Sequence, residues 1–154
     1  MTSDFVIDYK YNYKENRLEV KTDDVFDFDL VLRAPITLIR GESATGKSLL
    51  VNSIEQIQQA RKINDRTTDK VVIFTTNKVI DFEDEKQLII IDRGDLCLTE
   101  NICEKIRKCQ ETRFLIMARG SYNLGLTPNY VANLVQENGI VKLQFEFSER
   151  LWFI

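Results

Sequence analysis

The sequence predicts an α/β fold, a three-layer sandwich with a mainly parallel core sheet and an N-terminal antiparallel meander. Two observations lead to this class. After residue 35, short continuous apolar runs, typical of strands buried on both faces, alternate with a stretch of helical periodicity. Before that residue, apolar and polar residues alternate with period two, which is typical of antiparallel strands with one face in solvent.

The first third of the chain predicts the meander. Alternation runs from Ile7 to Tyr13, from Arg17 to Lys21 and from Val25 to Leu30. Lys14-Glu15-Asn16 supplies a polar turn between the first two segments. We therefore expect three short strands, each connected to the next by a turn.

The rest of the chain predicts buried strands and two helices. The continuous apolar runs cover residues 36–39, 71–74, 88–91 and 114–118, and alternation returns over residues 140–147. One apolar stripe, with members at Leu50, Ile54 and Ile57, predicts a helix over residues 47–64. Thr99 is a favourable N-cap for a second helix, with Glu100 in its first turn.

The chain's 154 residues are the size of one domain. Because no repeat or low-complexity linker divides the sequence, we expect a single domain over residues 1–154, with an antiparallel β subdomain at 1–34 and an α/β core at 35–154. There is no run of eighteen apolar residues, so no membrane span is predicted. The first residues lack the pattern of a signal peptide, which predicts a cytoplasmic protein.

The segment from Gly41 to Ser48 matches the pattern G-x-x-x-x-G-K-[ST]. Glycines at this spacing let consecutive backbone N–H groups turn toward phosphate oxygens, and the helix that follows adds its positive end. Lys47 would reach the β- and γ-phosphates, and the Ser48 hydroxyl would bind Mg²⁺. The predicted cofactor-binding residues are Gly41, Glu42, Ser43, Ala44, Thr45, Gly46, Lys47 and Ser48.

A second candidate element is Asp92, which follows the apolar run 88–91. In an open α/β sheet the ligand binds at the carboxyl edge of the strands, so this carboxylate would lie at that edge. There it could hold the Mg²⁺ whose other ligands are Ser48 and phosphate oxygens. Ser48 and Asp92 are therefore the predicted metal ligands.

Together these segments resemble the Walker A and Walker B motifs of P-loop NTPases. The meander before the first motif most resembles the ATP-binding-cassette branch, including its RecF-like and SMC-like relatives. The resemblance implies ATP and Mg²⁺ as ligands and an ATPase in which Lys47 and Asp92 act on the triphosphate. It also implies a strand inserted between the two motif strands, which residues 114–118 fit, and a polar γ-phosphate sensor at its end, a place that Arg119 occupies.

The chain departs from the cassette pattern after Asp92. Cassette ATPases carry a glutamate there that positions the attacking water, whereas this chain has Arg93 and lacks an LSGGQ-like signature. Asp95 or Glu100 could replace that base. Two functions therefore stay open: a weak ATPase, and a non-hydrolysing module in which bound nucleotide regulates an interaction.

The amino-acid composition limits the classes of ligand and catalytic site that this chain could have. A net charge of −3 gives no support for nucleic-acid binding, and the absence of histidine removes His-assisted triads and His-ligated metals. Asn77-Lys78 fails the N-K-x-D guanine pattern because Asp81 falls one residue late, so ATP is expected in preference to GTP. The expected partners are a nucleoside triphosphate and, as open alternatives, a second copy in a homodimer or a partner protein.

Five further side chains have competing interpretations. Tyr11 and Tyr13 lie in the meander, where cassette proteins often place an adenine-stacking aromatic, but strand aromatics usually pack against neighbours, so core packing is expected. Cys97, Cys103 and Cys109 lack the C-x-x-C spacing of a zinc or redox site. Core or near-core packing is expected for them as well.

Overall fold

The computed structural model describes residues 8–22, 26–40, 46–60, 69–75, 79–118 and 130–145. Within these ranges the chain forms nine strands and three helices. The strands are β1 (Asp8–Asn12), β2 (Arg17–Lys21), β3 (Asp27–Val31), β4 (Ile36–Arg40), β5 (Val71–Phe74), β6 (Leu88–Ile91), β7 (Arg113–Ala118), β8 (Tyr130–Glu137) and β9 (Ile140–Phe145). The helices are α1 (Lys47–Ala60), α2 (Gly94–Cys97) and α3 (Glu100–Lys108).

All nine strands belong to one mixed sheet in the order β1-β2-β3-β9-β8-β4-β7-β6-β5. The predicted meander is present, since β1, β2 and β3 pair antiparallel. The strands β4, β7, β6 and β5 pair parallel along one half of the sheet. β7 lies between β4 and β6, which is the position expected for the apolar run 114–118.

The predicted class, a three-layer α/β sandwich, is wrong. In the described ranges nine strands outnumber three helices, and the helices number one of fourteen residues, one of nine and one of four. No helix is present in the described residues between β5 and β6, and five strands extend the sheet beyond the parallel strands β4 to β7. Too few helical residues are therefore available for full helical layers on both faces of so wide a sheet.

Hydrogen bonds connect the two edge strands, β1 and β5, through α1 and through Asp69, which lies two residues before β5. The Asp69 amide donates to the Tyr11 carbonyl oxygen (2.9 Å), and the Asp69 carboxylate accepts from the Tyr13 amide (2.8 Å). On α1, Gln58 Nε2 donates to the Tyr9 hydroxyl (3.1 Å) and to the Val71 carbonyl oxygen (2.9 Å). The sheet therefore folds around α1 instead of lying flat beneath it.

The core consists of two apolar clusters, one on each face of the sheet. Alternation along β6 divides its residues between them: Leu88 and Ile90 join the first cluster, and Ile89 and Ile91 the second. The helix α1 contributes to the first cluster with Leu50, Val51, Ile54 and Ile57. The helix α3 contributes to the second with Cys103 and Ile106. We call these sides the α1 face and the α3 face.

The hairpin of β8 and β9 was only half predicted. The strand β9 lies within the expected range 140–147, but β8 was not expected, because Val131-Ala132 and Leu134-Val135 interrupt strict alternation. Asn138 (φ 55°) and Gly139 (φ 81°) form the turn in left-handed conformations. An Asn-Gly pair between two β-type segments is the signal that would have identified this hairpin.

In the described ranges no helix is both long and apolar enough to cross a membrane. The single-domain assignment and the cytoplasmic location stay predictions.

Candidate functional site

The helix α1 begins directly after Gly46, which has φ +97°. This left-handed conformation favours glycine, although no atom would obstruct a Cβ there. The Gly46 carbonyl accepts the first helical hydrogen bond, from the Leu50 amide (3.0 Å). The first turn of α1 carries no acidic side chain. The positive end of this helix is therefore not neutralised by its own residues, which suits an anion.

Lys47 and Ser48 differ in exposure at this helix start. Lys47 is only 8% exposed, whereas Ser48 beside it is exposed. Burial of a lysine requires a partner for its charge, and Lys47 does have an interaction partner. Its place in the first turn of α1 puts it beside the positive end of the helix. The exposed hydroxyl of Ser48 is instead accessible to coordinate a metal ion.

Asp92 lies at the carboxyl end of β6. Its amide donates to the Phe74 carbonyl oxygen (2.9 Å), which continues the pairing of β6 with β5 by one residue. Because Ile91 faces the α3 side, alternation places the half-buried Asp92 on the α1 face. Asp92 is therefore on the face of the sheet that α1 covers.

The strand register places Asp92 level with the end of β4. Ile91 pairs with Ile116 on β7, and Ile116 pairs with Leu38 on β4. Asp92 is thus level with Ile39, two strand spacings away, which is roughly 10 Å. In the sequence β4 is followed by residues 41–45 and then by α1. We therefore infer that the start of α1, with Gly46, Lys47 and Ser48, lies at the carboxyl edge of the parallel strands and on the α1 face, as Asp92 does.

The turn after Asp92 is tightly fixed. Arg93 is left-handed (φ 55°, ψ 52°), and its carbonyl oxygen accepts from the amides of Leu96 (2.9 Å) and Cys97 (3.0 Å). Gly94 is buried, and a Cβ there would lie 2.7 Å from Ile116 Cγ2. The Cys97 thiol donates to the Asp92 carbonyl oxygen (3.3 Å). The backbone that carries the Asp92 carboxylate is therefore held on both sides.

The sequence patterns do not predict that Arg93 and Gly94 form the turn that fixes Asp92. The signal was available, since a glycine soon after a buried apolar run marks a turn.

Several predicted site residues lie outside the described ranges. They are Gly41, Glu42, Ser43, Ala44, Thr45 and Arg119. The side chain of Asp95 is likewise outside the description, although its backbone belongs to α2. The phosphate-binding loop and the γ-phosphate sensor therefore stay predictions.

Glu100 is poorly placed to act as a general base. It lies exposed in the first turn of α3, whose N-cap Thr99 accepts from the Ile102 amide (3.3 Å). The buried residues of α3 pack on the α3 face. Glu100 and Asp92 therefore belong to opposite faces of the sheet.

Tyr11 packs in the interior and the half-buried Tyr13 packs against the same core cluster, as expected. Tyr11 is 1% exposed and donates to Asn16 Oδ1 (2.7 Å), and burial raises its pKa to about 12. The Tyr13 ring meets Tyr11 edge-on at 6.4 Å and carries the Arg113 guanidinium at 3.9 Å. Arg113 opens β7, so these rings lie near the amino edge of the parallel strands, away from Asp92.

The three cysteines pack in or against the core of the α3 face, as predicted. Cys103 is buried, and Cys97 and Cys109 are half-buried. Burial raises the pKa of the Cys103 thiol and raises that of Cys109 to about 11. Thiols with raised pKa values are poor nucleophiles at neutral pH.

No group of three or more acidic, cysteine or histidine side chains converges anywhere in the described residues. An exposed hydroxyl and one carboxylate are, however, the oxygen ligands typical of Mg²⁺ bound together with a phosphate, where the substrate and water complete the octahedron. Ser48 and Asp92 fit this shared mode of binding and do not fit a metal site made of protein alone.

No protein-family model matches this chain, and no curated protein matches it in sequence.

Proposed function

We propose that this protein binds ATP together with Mg²⁺ at the carboxyl edge of its central parallel strands. One observation supports this most directly. The buried Lys47 is the first residue of α1, and Asp92 directly follows β6 on the face that α1 covers. A cation at the helix start suits the phosphates of a triphosphate, and a carboxylate after a strand on the same face suits the metal ion bound to them.

Each residue has a distinct role in this proposal. The backbone N–H groups at the start of α1 and the ammonium of Lys47 bind phosphate oxygens. The Ser48 hydroxyl and the Asp92 carboxylate hold Mg²⁺, which when bound would neutralise charge on the β- and γ-phosphates. The fixed turn at Arg93 and Gly94 keeps the Asp92 backbone in place.

Hydrolysis by this site is expected to be slow. Arg93 follows Asp92 and cannot serve as the base for water, because a guanidinium has donors and no acceptor. Glu100 belongs to the α3 face. A positioned carboxylate base ordinarily contributes about 10²- to 10⁴-fold to such a reaction.

Arg93 also supports a second candidate function, a nucleotide-regulated interaction module. In such a module bound ATP would change the affinity for a partner protein or a second copy without turnover. Phosphate release by the purified protein separates the two functions. A slow release that Lys47→Ala abolishes supports the ATPase, and binding without release supports the module.

The metal role can be tested by measuring ATP affinity over a range of Mg²⁺ concentrations. Asp92→Asn keeps the size of the side chain and removes its charge, so the increase in ATP affinity caused by Mg²⁺ should fall. Asp81→Asn is the matched control, since the Asp81 carboxylate is 89% exposed on the segment between β5 and β6. An equal response to Mg²⁺ in both variants would contradict a metal role for Asp92.

A further inference from the structure

We infer that Arg93 binds the terminal phosphate of the nucleotide and makes the site prefer a triphosphate to a diphosphate. This inference rests on the proposed function, because it names a further residue of the same site. From the sequence, Arg93 is only the residue that replaces the glutamate of cassette ATPases. Its surroundings indicate a binding role of its own.

Arg93 is the one arginine of the described residues whose guanidinium has no partner. Arg17 pairs with Asp29 (2.8 Å), and Arg33 and Arg113 lie over aromatic rings. Arg40 and Arg107 also make polar or electrostatic contacts. Arg93 is exposed, and no hydrogen bond or ion pair in the described part of the chain involves its side chain.

The backbone holds this free cation in a fixed place. A left-handed conformation is unfavourable for arginine, so the fold must stabilise it. The two amide bonds to the Arg93 carbonyl oxygen and the close packing of Gly94 against Ile116 provide that support. The side chain therefore starts from a defined point next to Asp92.

The position of β6 in the sheet points to the terminal phosphate. The loop after β4 would hold the α- and β-phosphates, and Lys47 would reach the β- and γ-phosphates. β6 lies two strands from β4, with β7 between them. Asp92 would meet the metal at the γ-phosphate end, and a cation one residue further along would meet the terminal phosphate oxygens.

The test compares MgATP and MgADP binding by calorimetry for the wild type and three variants. Arg93→Asn removes the guanidinium and keeps a residue that tolerates the left-handed conformation. Arg93→Lys keeps the charge and loses the two-pronged hydrogen bonding. Lys86→Ala is the control, because it removes an exposed cation near the opposite, amino end of the same strand. Circular dichroism verifies that each variant is folded.

We expect Arg93→Asn to lower ATP affinity about tenfold, the factor that one charge-assisted hydrogen bond supplies, and to leave ADP affinity unchanged. Arg93→Lys should lie between that variant and the wild type, and Lys86→Ala should match the wild type. An unchanged ratio of ATP to ADP affinity in Arg93→Asn would overturn this inference alone. A wild type that binds neither nucleotide would overturn the proposed function and this inference with it.

Discussion

The Arg113 guanidinium lies 3.9 Å from the centre of the Tyr13 ring and donates a hydrogen bond to the Tyr13 carbonyl oxygen. The Tyr13 hydroxyl in turn donates to the carbonyl oxygen of Glu111. These contacts join the residue after β1, an edge strand, to the start of β7, which lies between β4 and β6. They help to fold the sheet around α1.

Arg113→Ala should lower the free energy of unfolding by about 2 kcal/mol, because it removes a cation–π contact and a charge-assisted hydrogen bond. Arg113→Lys should lower the free energy of unfolding by less, since an ammonium can keep part of the contact with the Tyr13 ring. Urea denaturation measures both variants. Lys86→Ala should change stability by about 0.5 kcal/mol at most. An Arg113→Ala variant as stable as this control would show that the contact contributes nothing.

Stability should fall in strong acid because of Asp84. Its carboxylate accepts from the backbone amides of Gln110, Glu111 and Thr112, and these bonds lower its pKa from 3.8 to about 2. A lowered folded-state pKa gives stability that is present above about pH 4 and is lost as the pH falls through about 2. Denaturant midpoints between pH 6 and pH 2 measure this loss.

Asp84→Asn should be less stable than the wild type at pH 6. Its stability should fall less between pH 4 and pH 2, because the variant has no carboxylate to protonate at this position. Asp81→Asn removes an almost fully exposed carboxylate and should keep the acid dependence of the wild type. Parallel acid profiles for Asp84→Asn and the wild type would exclude Asp84 as the source.

Thr37 carries a polar atom without a partner in the described interior. It is 0% exposed on β4, and its Oγ1 makes no hydrogen bond. Thr37→Val should therefore raise the free energy of unfolding by about 1 kcal/mol, because it removes a desolvated hydroxyl at nearly constant shape. Thr37→Ser keeps the hydroxyl and loses a methyl group, so it should destabilise. A Val variant less stable than the wild type would indicate a bound water or another partner.

Gly94 should tolerate no side chain, since a Cβ would lie 2.7 Å from Ile116 Cγ2 in the packed core. Gly94→Ala should lower stability by about 1–3 kcal/mol. Adding Ile116→Leu moves the branch away from Cβ and should recover part of the loss, which thermal or urea unfolding would detect. Identical losses with and without Ile116→Leu would contradict the proposed crowding.

Local sequence patterns predicted several elements well. Thr99 caps α3 as expected, with its side chain accepting from the Ile102 amide. The helix α1 begins at Lys47, the expected residue, and the apolar run 114–118 lies within β7. These features depend on residues close together in sequence, which is why capping and periodicity reveal them.

The fold class was wrong for a physical reason. The contacts that fold the sheet join residues that are distant in sequence. Gln58 bonds to Tyr9 through two polar side chains, and Asp69 bonds to Tyr11 through backbone groups. Periodicity does not encode such contacts. The positions of three candidate residues agree with the prediction, since Lys47 and Ser48 begin α1 and Asp92 directly follows β6. Their roles in a site stay predictions. The free guanidinium of Arg93 emerged only from the structure, because the pairing of the other arginines is a tertiary property.

The central claim is Mg²⁺-dependent ATP binding, and calorimetric titration of the wild type beside Lys47→Ala tests it most directly. Titrations with ATP in Mg²⁺ and in EDTA give the affinity and its metal dependence, and circular dichroism confirms that the variant is folded. We expect binding by the wild type that weakens without Mg²⁺ and that Lys47→Ala abolishes. A folded wild type that gives no heat of binding when titrated with ATP would contradict the proposed site. A Lys47→Ala variant that binds ATP as tightly as the wild type would contradict it as well.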